Sequence, residues 1–127
     1  MDLAQYFSEK KGLGVLSTAD GDGVVNSAVY SRPHVMDDGA LAFIMRDRLS
    51  HHNLQSNPRA AYLFREEGPG YTGVRLHLTK VREESDTELL KELCRRCEFN
   101  ESADQPIRHL VFFQLDKHLP LLGSGES

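Results

Sequence analysis

The spacing of hydrophobic and polar positions changes along the chain, and each change predicts an element. Leu3, Tyr6 and Phe7 fall at helical spacing within Asp2 to Lys11, one apolar stripe on a short helix. Gly12 and Gly14 break that pattern. Leu13 to Thr18 is a compact apolar strand, Asp20-Gly21-Asp22-Gly23 has tight-hairpin chemistry, and Val24 to Tyr30 is the returning strand. Asp37-Asp38-Gly39 repeats the turn chemistry. Ala40 to Met45 is apolar at every position, which predicts a strand buried on both faces. From Arg46 to Asn57 the chain turns polar; Ser50 is placed to cap a two-turn helix that Pro58 cannot continue. Arg59 to Arg65 is the fourth strand, and Glu66 to Gly70 is an irregular loop. Across Tyr71 to Glu83, Val74, Leu76 and Leu78 alternate with Arg75, His77 and Thr79, a strand with one wet face. Ser85 and Glu88 read as a capping box for a helix carrying Leu89, Leu90, Leu93, Cys94 and Cys97. Phe99 to Pro106 is a polar connection, Ile107 to Leu115 a last strand, and Gly123 to Ser127 a frayed tail.

The order is helix, three strands, short helix, two strands, helix, strand. Hairpin-length connections favour an antiparallel sheet, and six such strands can curl into a small barrel with peripheral helices. A parallel sheet would need crossover helices that the pattern lacks. The expected class is mainly β, in one domain spanning residues 1–122 with a disordered tail at 123–127. The 127 residues, 39% hydrophobic and 27% charged, suit one folded core. A net charge of −4 makes nucleic acid a poor partner. The sequence has no apolar run long enough to span a membrane and no signal-peptide core at its start, so a cytoplasmic protein is expected.

Four constellations could carry chemistry. Arg46, Arg48, Ser50 and His51 gather where a buried strand meets a helix, where free backbone N–H groups and guanidinium donors could cradle a phosphate; an ordinary capped surface helix is the plain alternative. His51 and His52 are adjacent, so they point about 100° apart on a helix and do not share one metal; with the i, i+4 spacing missing, no metal ligands are assigned. Cys94-Arg95-Arg96-Cys97 has dithiol spacing, but its place late on an apolar helix face favours two packed thiols over a redox pair. Tyr71 on a Gly-Pro-Gly loop either covers a flat ring or merely starts the next strand. Nucleotide-binding glycine motifs, a hydrolase elbow and a carboxylate pair are missing, and no catalytic residue is assigned.

The stretch from Gly14 to Phe64, and above all His52-Asn53-Leu54-Gln55-Ser56-Asn57-Pro58-Arg59-Ala60-Ala61-Tyr62-Leu63-Phe64, resembles the pyridoxamine 5′-phosphate oxidase-like family of flavin-binding split barrels. The likeness is strong over residues 10–84; the last helix and strand agree in order only. It implies a six-stranded antiparallel split barrel of Greek-key type and a homodimer with FMN in clefts at the interface. By the same resemblance, Arg46, Arg48, Ser50 and His51 would hold the phosphate. The flavin ring would lie against Asn26, Ser27, Ala28 and Val29 and against Phe43, Ile44 and Met45. Tyr71 and Arg75 of the second subunit would close the site. The chain departs from the family in having no Lys between Lys11 and Lys80 and no Trp. It ends in His118-Leu119-Pro120-Leu121-Leu122 and a short Gly/Ser tail, without the Arg-, Pro- and Trp-rich substrate motif of the vitamin B6 oxidase, so pyridoxamine phosphate oxidation is not expected. The implied function is a flavin-dependent oxidoreductase of unknown substrate. The alternatives are a non-enzymatic flavin carrier or electron-transfer module, a deazaflavin- or haem-binding relative, and a haem- or metal-binding protein using His34, His51 or His52.

Overall fold

The polar start of the chain is fixed by its own side chain. In the computed structural model, which describes residues 2–46, 48–85, 87–94 and 108–123, Asp2 caps α1 (Leu3–Glu9) and accepts from the Gln5 N–H at 3.2 Å. The helix buries Leu3 and Phe7, as its spacing predicts. Tyr6 donates its hydroxyl proton to Glu66 on a distant strand at 2.6 Å.

The strands are β1 (Gly12–Ala19), β2 (Val25–Val29), β3 (His34–Val35), β4 (Leu41–Arg46), β5 (Arg59–Glu66), β6 (Gly73–Ser85) and β7 (Arg108–Pro120). Helix α2 (Leu49–Ser56) lies between β4 and β5, and α3 (Glu88–Cys94) follows β6. Every pairing is antiparallel, in the order β2-β1-β5-β6-β7-β4-β3. The seventh strand corrects the expected count of six. It is β3, whose two residues pair only with Leu41 and Ala42, too few to leave an alternation in the sequence. The β1–β2 turn forms as its composition predicts: Asp20 Oδ1 accepts from the N–H groups of Asp22 and Val24 at 2.9 and 3.0 Å. Gly23 takes φ 84°, the left-handed region open to glycine.

Two strands, β6 and β7, separate Tyr62 on β5 from Phe43 on β4. A flat sheet would hold such residues about 14 Å apart, yet their ring centroids lie 5.0 Å apart. The sheet is therefore curled, and Leu16, Phe43, Met45, Tyr62, Phe64 and Leu76 meet in its interior. A second cluster, Ala42, Leu90, Leu93, Leu110 and Phe112, forms beneath α3. Alternate residues of β4 enter the two clusters, so this strand is buried on both faces as expected. The class is mainly β, an antiparallel barrel-like sheet with peripheral helices.

The expected capping box shifts by two residues. β6 runs on to Ser85, which pairs with His109 and sets its Oγ 2.7 Å from His109 Nδ1. The cap of α3 is instead Thr87, whose Oγ1 accepts from the Leu90 N–H at 3.2 Å. Cys97, the Phe99 to Pro106 connection, Ile107 and residues 124–127 lie outside the described residues, as does the side chain of Cys94. The dithiol reading and the tail therefore fall there too. Among the described residues no helix is long and apolar enough to cross a membrane.

Candidate ligand-binding site

β4 ends at Arg46 and the chain turns at once, with the Arg48 N–H donating to the Arg46 carbonyl at 2.8 Å. Arg48 becomes the extended N-cap residue of α2, and its side chain makes no cap hydrogen bond. Ser50, the expected cap, instead lies inside the first turn and is buried. The first intrahelical bond runs from the His52 N–H to the Arg48 carbonyl at 2.9 Å. The N–H groups of Leu49, Ser50 and His51 thus come before the helical ladder starts, at the positive end of the helix dipole. With the exposed Arg48 beside them, they offer what an anion needs.

The run that carries the family resemblance works structurally here, by seating this helix. Asn53 Nδ2 donates to Thr18 Oγ1 of β1 at 3.1 Å, with both residues buried. Leu54 enters the core, and Asn57 Oδ1 accepts from the Arg59 N–H at 3.0 Å as the chain turns into β5.

Tyr30, just past β2, is the residue that sequence reasoning missed. Its hydroxyl hydrogen-bonds Ser50 and lies near Arg48; burial pushes its pKa up, and those two partners pull against that rise. Its ring packs edge-on to Phe43 at 6.1 Å. One side chain therefore joins the end of β2, the middle of β4 and the start of α2. An aromatic residue closing a strand was the only sequence signal for it.

The expected ring-contacting residues divide between faces. Asn26 and Ala28 pair with Thr18 and Leu16 and share their inward face, whereas Ser27 and Val29 point outward and are exposed. Met45 and Phe43 are committed to the core, and Ile44 packs toward α3. On β4, what these residues can offer a flat ring is therefore mostly backbone. β2 is one end of the strand order, and β3 covers β4 only at Leu41 and Ala42. Two strand edges, along β2 and along residues 43–45, thus have no second neighbouring strand among the described residues, and Tyr30 lies between them.

Tyr71 and Arg75 sit elsewhere in the chain. Tyr71 is 69% exposed, with the Arg65 guanidinium 5.4 Å from its ring centroid. Arg75 Nε donates to the Pro120 carbonyl at 2.9 Å, and its Nη2 donates to the Gly123 carbonyl. They lie at the start of β6, opposite the end that meets α2. Within one chain these two residues are not brought to the cradle.

His51 Nε2 lies 2.8 Å from Glu83 Oε2, and its ring stacks on His109 with centroids 3.8 Å apart and planes 3° apart. Burial alone would raise the Glu83 carboxyl, but hydrogen bonds from Lys80, His51 and Gln55 outweigh it and hold the pKa at about 2. Ionised Glu83 only accepts, so His51 Nε2 carries the proton. This cluster is not visible in the sequence, where its members stand far apart. His52 is exposed, and His34 lines a separate cavity of about 350 Å³ with Phe7, Arg32 and Met36.

Comparison with known proteins adds the following. The family model for pyridoxamine 5′-phosphate oxidase matches residues 2–116. No curated protein matches the chain. Among solved structures, the chain is similar to an FMN-binding protein from Syntrophomonas wolfei subsp. wolfei, with TM-score 0.76 and 18% identity over 95% of this chain and 84% of that one. It is similar to HupZ of Group A Streptococcus, with TM-score 0.68 and 16% identity over 99% and 94% of the two chains. An F420 reductase also matches, with TM-score 0.65 and 18% identity over 90% and 94%. At such identities the likeness shows the fold.

Proposed function

The chain belongs to the pyridoxamine 5′-phosphate oxidase family, and from that premise we propose that it binds FMN as a homodimer and acts as a flavin-dependent oxidoreductase. The observation that carries the reading is the start of α2, where the N-cap residue Arg48 supplies a guanidinium in place of a capping acceptor. The residues present fit the phosphate end of the cofactor. The first-turn N–H groups would bind its oxygens, Arg46 and Arg48 would add charge, and Tyr30 would orient Ser50 through its hydroxyl. The open edges of β2 and of residues 43–45 fit the hydrogen-bonding rim of a planar ring, to which they offer backbone donors and acceptors. Tyr71 and Arg75 would come from the second copy to exclude water. FMN, when bound, supplies the hydride and electron chemistry.

The test is titration of the flavin-free protein with FMN, followed by absorbance and gel-filtration mass. We expect two flavin bands on a dimer, and for the Arg46→Ala/Arg48→Ala double variant an affinity about tenfold to a hundredfold weaker. Unchanged affinity in that variant overturns the cradle. A deazaflavin is the competing ligand, favoured by the likeness to an F420 reductase; preferential binding of F420 over FMN would select it. A Soret band would select haem. FMN binding without turnover of any reductant would select a carrier.

A further inference from the structure

We propose that His51, Glu83 and His109 form a binding site for a divalent transition-metal ion of the zinc class, one per chain. The three come from α2, β6 and β7, and one ligand atom from each lies within 4.8 Å of the others. Donors on a common zinc, with bonds of about 2.0–2.1 Å, sit about 3.3 Å apart. The cluster therefore needs to close by only about 1.5 Å, within reach of side-chain rotation.

The chemistry of each group suits the task. Glu83 takes hydrogen bonds on both carboxylate oxygens, from His51, Lys80 and Gln55, the arrangement of an acceptor-only carboxylate. Its Oε2 already faces both imidazoles, at 2.8 Å from His51 Nε2 and 3.5 Å from His109 Nδ1. Its other oxygen, Oε1, accepts from Lys80 and Gln55, which fix the carboxylate plane. His109 is held by Ser85, whose Oγ lies 2.7 Å from Nδ1, the ring nitrogen that faces Glu83. Its Nε2 is buried and has no hydrogen-bond partner. With the ring proton on Nε2, the Nδ1 lone pair is the one turned toward Glu83, and an entering ion would take it from the Ser85 hydroxyl. The stacked rings would part as the ion enters, and the His51 Nε2 proton would move to Nδ1 or be released to solvent. Two nitrogen donors and one carboxylate leave a fourth position for water. The Lys80 ammonium beside Glu83 offsets carboxylate charge, which disfavours calcium and magnesium and leaves selection to the nitrogens.

The proposal uses the His51 ring, where the flavin reading uses the His51 backbone N–H, and it is tested without flavin. Untagged full-length protein, stripped with chelator, is titrated with zinc chloride alone by calorimetry and with cobalt chloride by visible absorbance. We expect one ion per chain, cobalt bands of a nitrogen–oxygen site, and no heat with magnesium. His109→Ala should weaken binding at least tenfold, whereas His52→Ala, at the exposed neighbour, should leave it unchanged. NMR of the unaltered protein keeps the test decisive if His109→Ala does not fold. Of the six histidines, the His51 and His109 ring signals should be the ones that zinc shifts and cobalt broadens. Absence of binding, or binding that leaves these two rings unaffected, overturns the proposal and leaves the cluster a purely structural contact.

Discussion

Gly14 stands where β1 passes beneath Tyr62, and a Cβ there would overlap the Tyr62 hydroxyl and come within 2.6 Å of the Tyr30 carbonyl oxygen. That hydroxyl donates to the same carbonyl at 3.1 Å, so it cannot simply swing away. Gly14→Ala should destabilise the protein by about 1–3 kcal/mol, as overpacking of a filled core does, read as a lower urea midpoint. Tyr62→Phe removes only the hydrogen bond and should lower stability by about 1 kcal/mol. Glu83 makes a different prediction, about pH. Its folded pKa of about 2 lies below the ordinary value of 4.5. Its contribution is therefore complete above the unfolded pKa and is lost as pH falls toward the folded one. The gap in urea midpoint between the protein and Glu83→Gln should be widest above about pH 5 and shrink toward about pH 2; a constant gap would contradict the ionised-acceptor role. The sequence reveals little at this scale. Gly14 reads there only as a helix breaker, and His51 meets Glu83 across 32 positions. No local period encodes such a meeting, because the curl of the sheet creates it.

Elements were more legible, since each is defined by a period that a few residues display. The alternation through Val74, Leu76 and Leu78 predicted β6, and the apolar run predicted a β4 buried on both faces. Element ends were read less well, because a terminus depends on which partner a residue meets. Ser85 and Glu88 have capping-box spacing, yet the ladder to β7 draws Ser85 into β6 and gives its hydroxyl to His109. Thr87→Ala should accordingly cost α3 about 1 kcal/mol, and Thr87→Ser should restore most of it. Thermal melts followed by circular dichroism check this. Ser85→Ala should leave the cap intact, and an equal loss from it would return the cap to Ser85. The same logic explains α2, whose start was expected at Ser50. The turn after Arg46 begins the helix two residues earlier, and this shift puts Arg48, whose side chain does not cap, at the N-cap.

At the scale of the whole molecule, the outer face of the sheet carries apolar residues that the core does not use. Val29, Val15, Leu63, Arg75 and Leu119 form one row across β2, β1, β5, β6 and β7, because directly paired residues share a face. Val29 is 61% exposed and Leu63 40% exposed, with Val25 and Leu13 also exposed nearby. Such a row on a surface is what a second copy would cover, and a stable contact needs about 800 Å² from each partner. The sequence showed these residues only as strand positions; the pairing register is what aligns them. Arg75 lies within the row, and Tyr71 is exposed in the loop that leads into the same strand. A copy docked on this face could therefore carry both toward the cradle of its neighbour, which neither reaches in its own chain. Introducing charge separates these roles. Leu13→Glu with Leu63→Glu changes two exposed side chains, so the circular dichroism spectrum should be unchanged while gel filtration shows a monomer. FMN affinity should fall with the dimer, because the ring loses its cover while the phosphate keeps Arg48 and the start of α2. Tyr71→Ala should weaken FMN in the same direction but leave the dimer intact. A charged variant that stays dimeric would move the interface to another face, and a monomer that binds FMN undiminished would remove Tyr71 and Arg75 from the site.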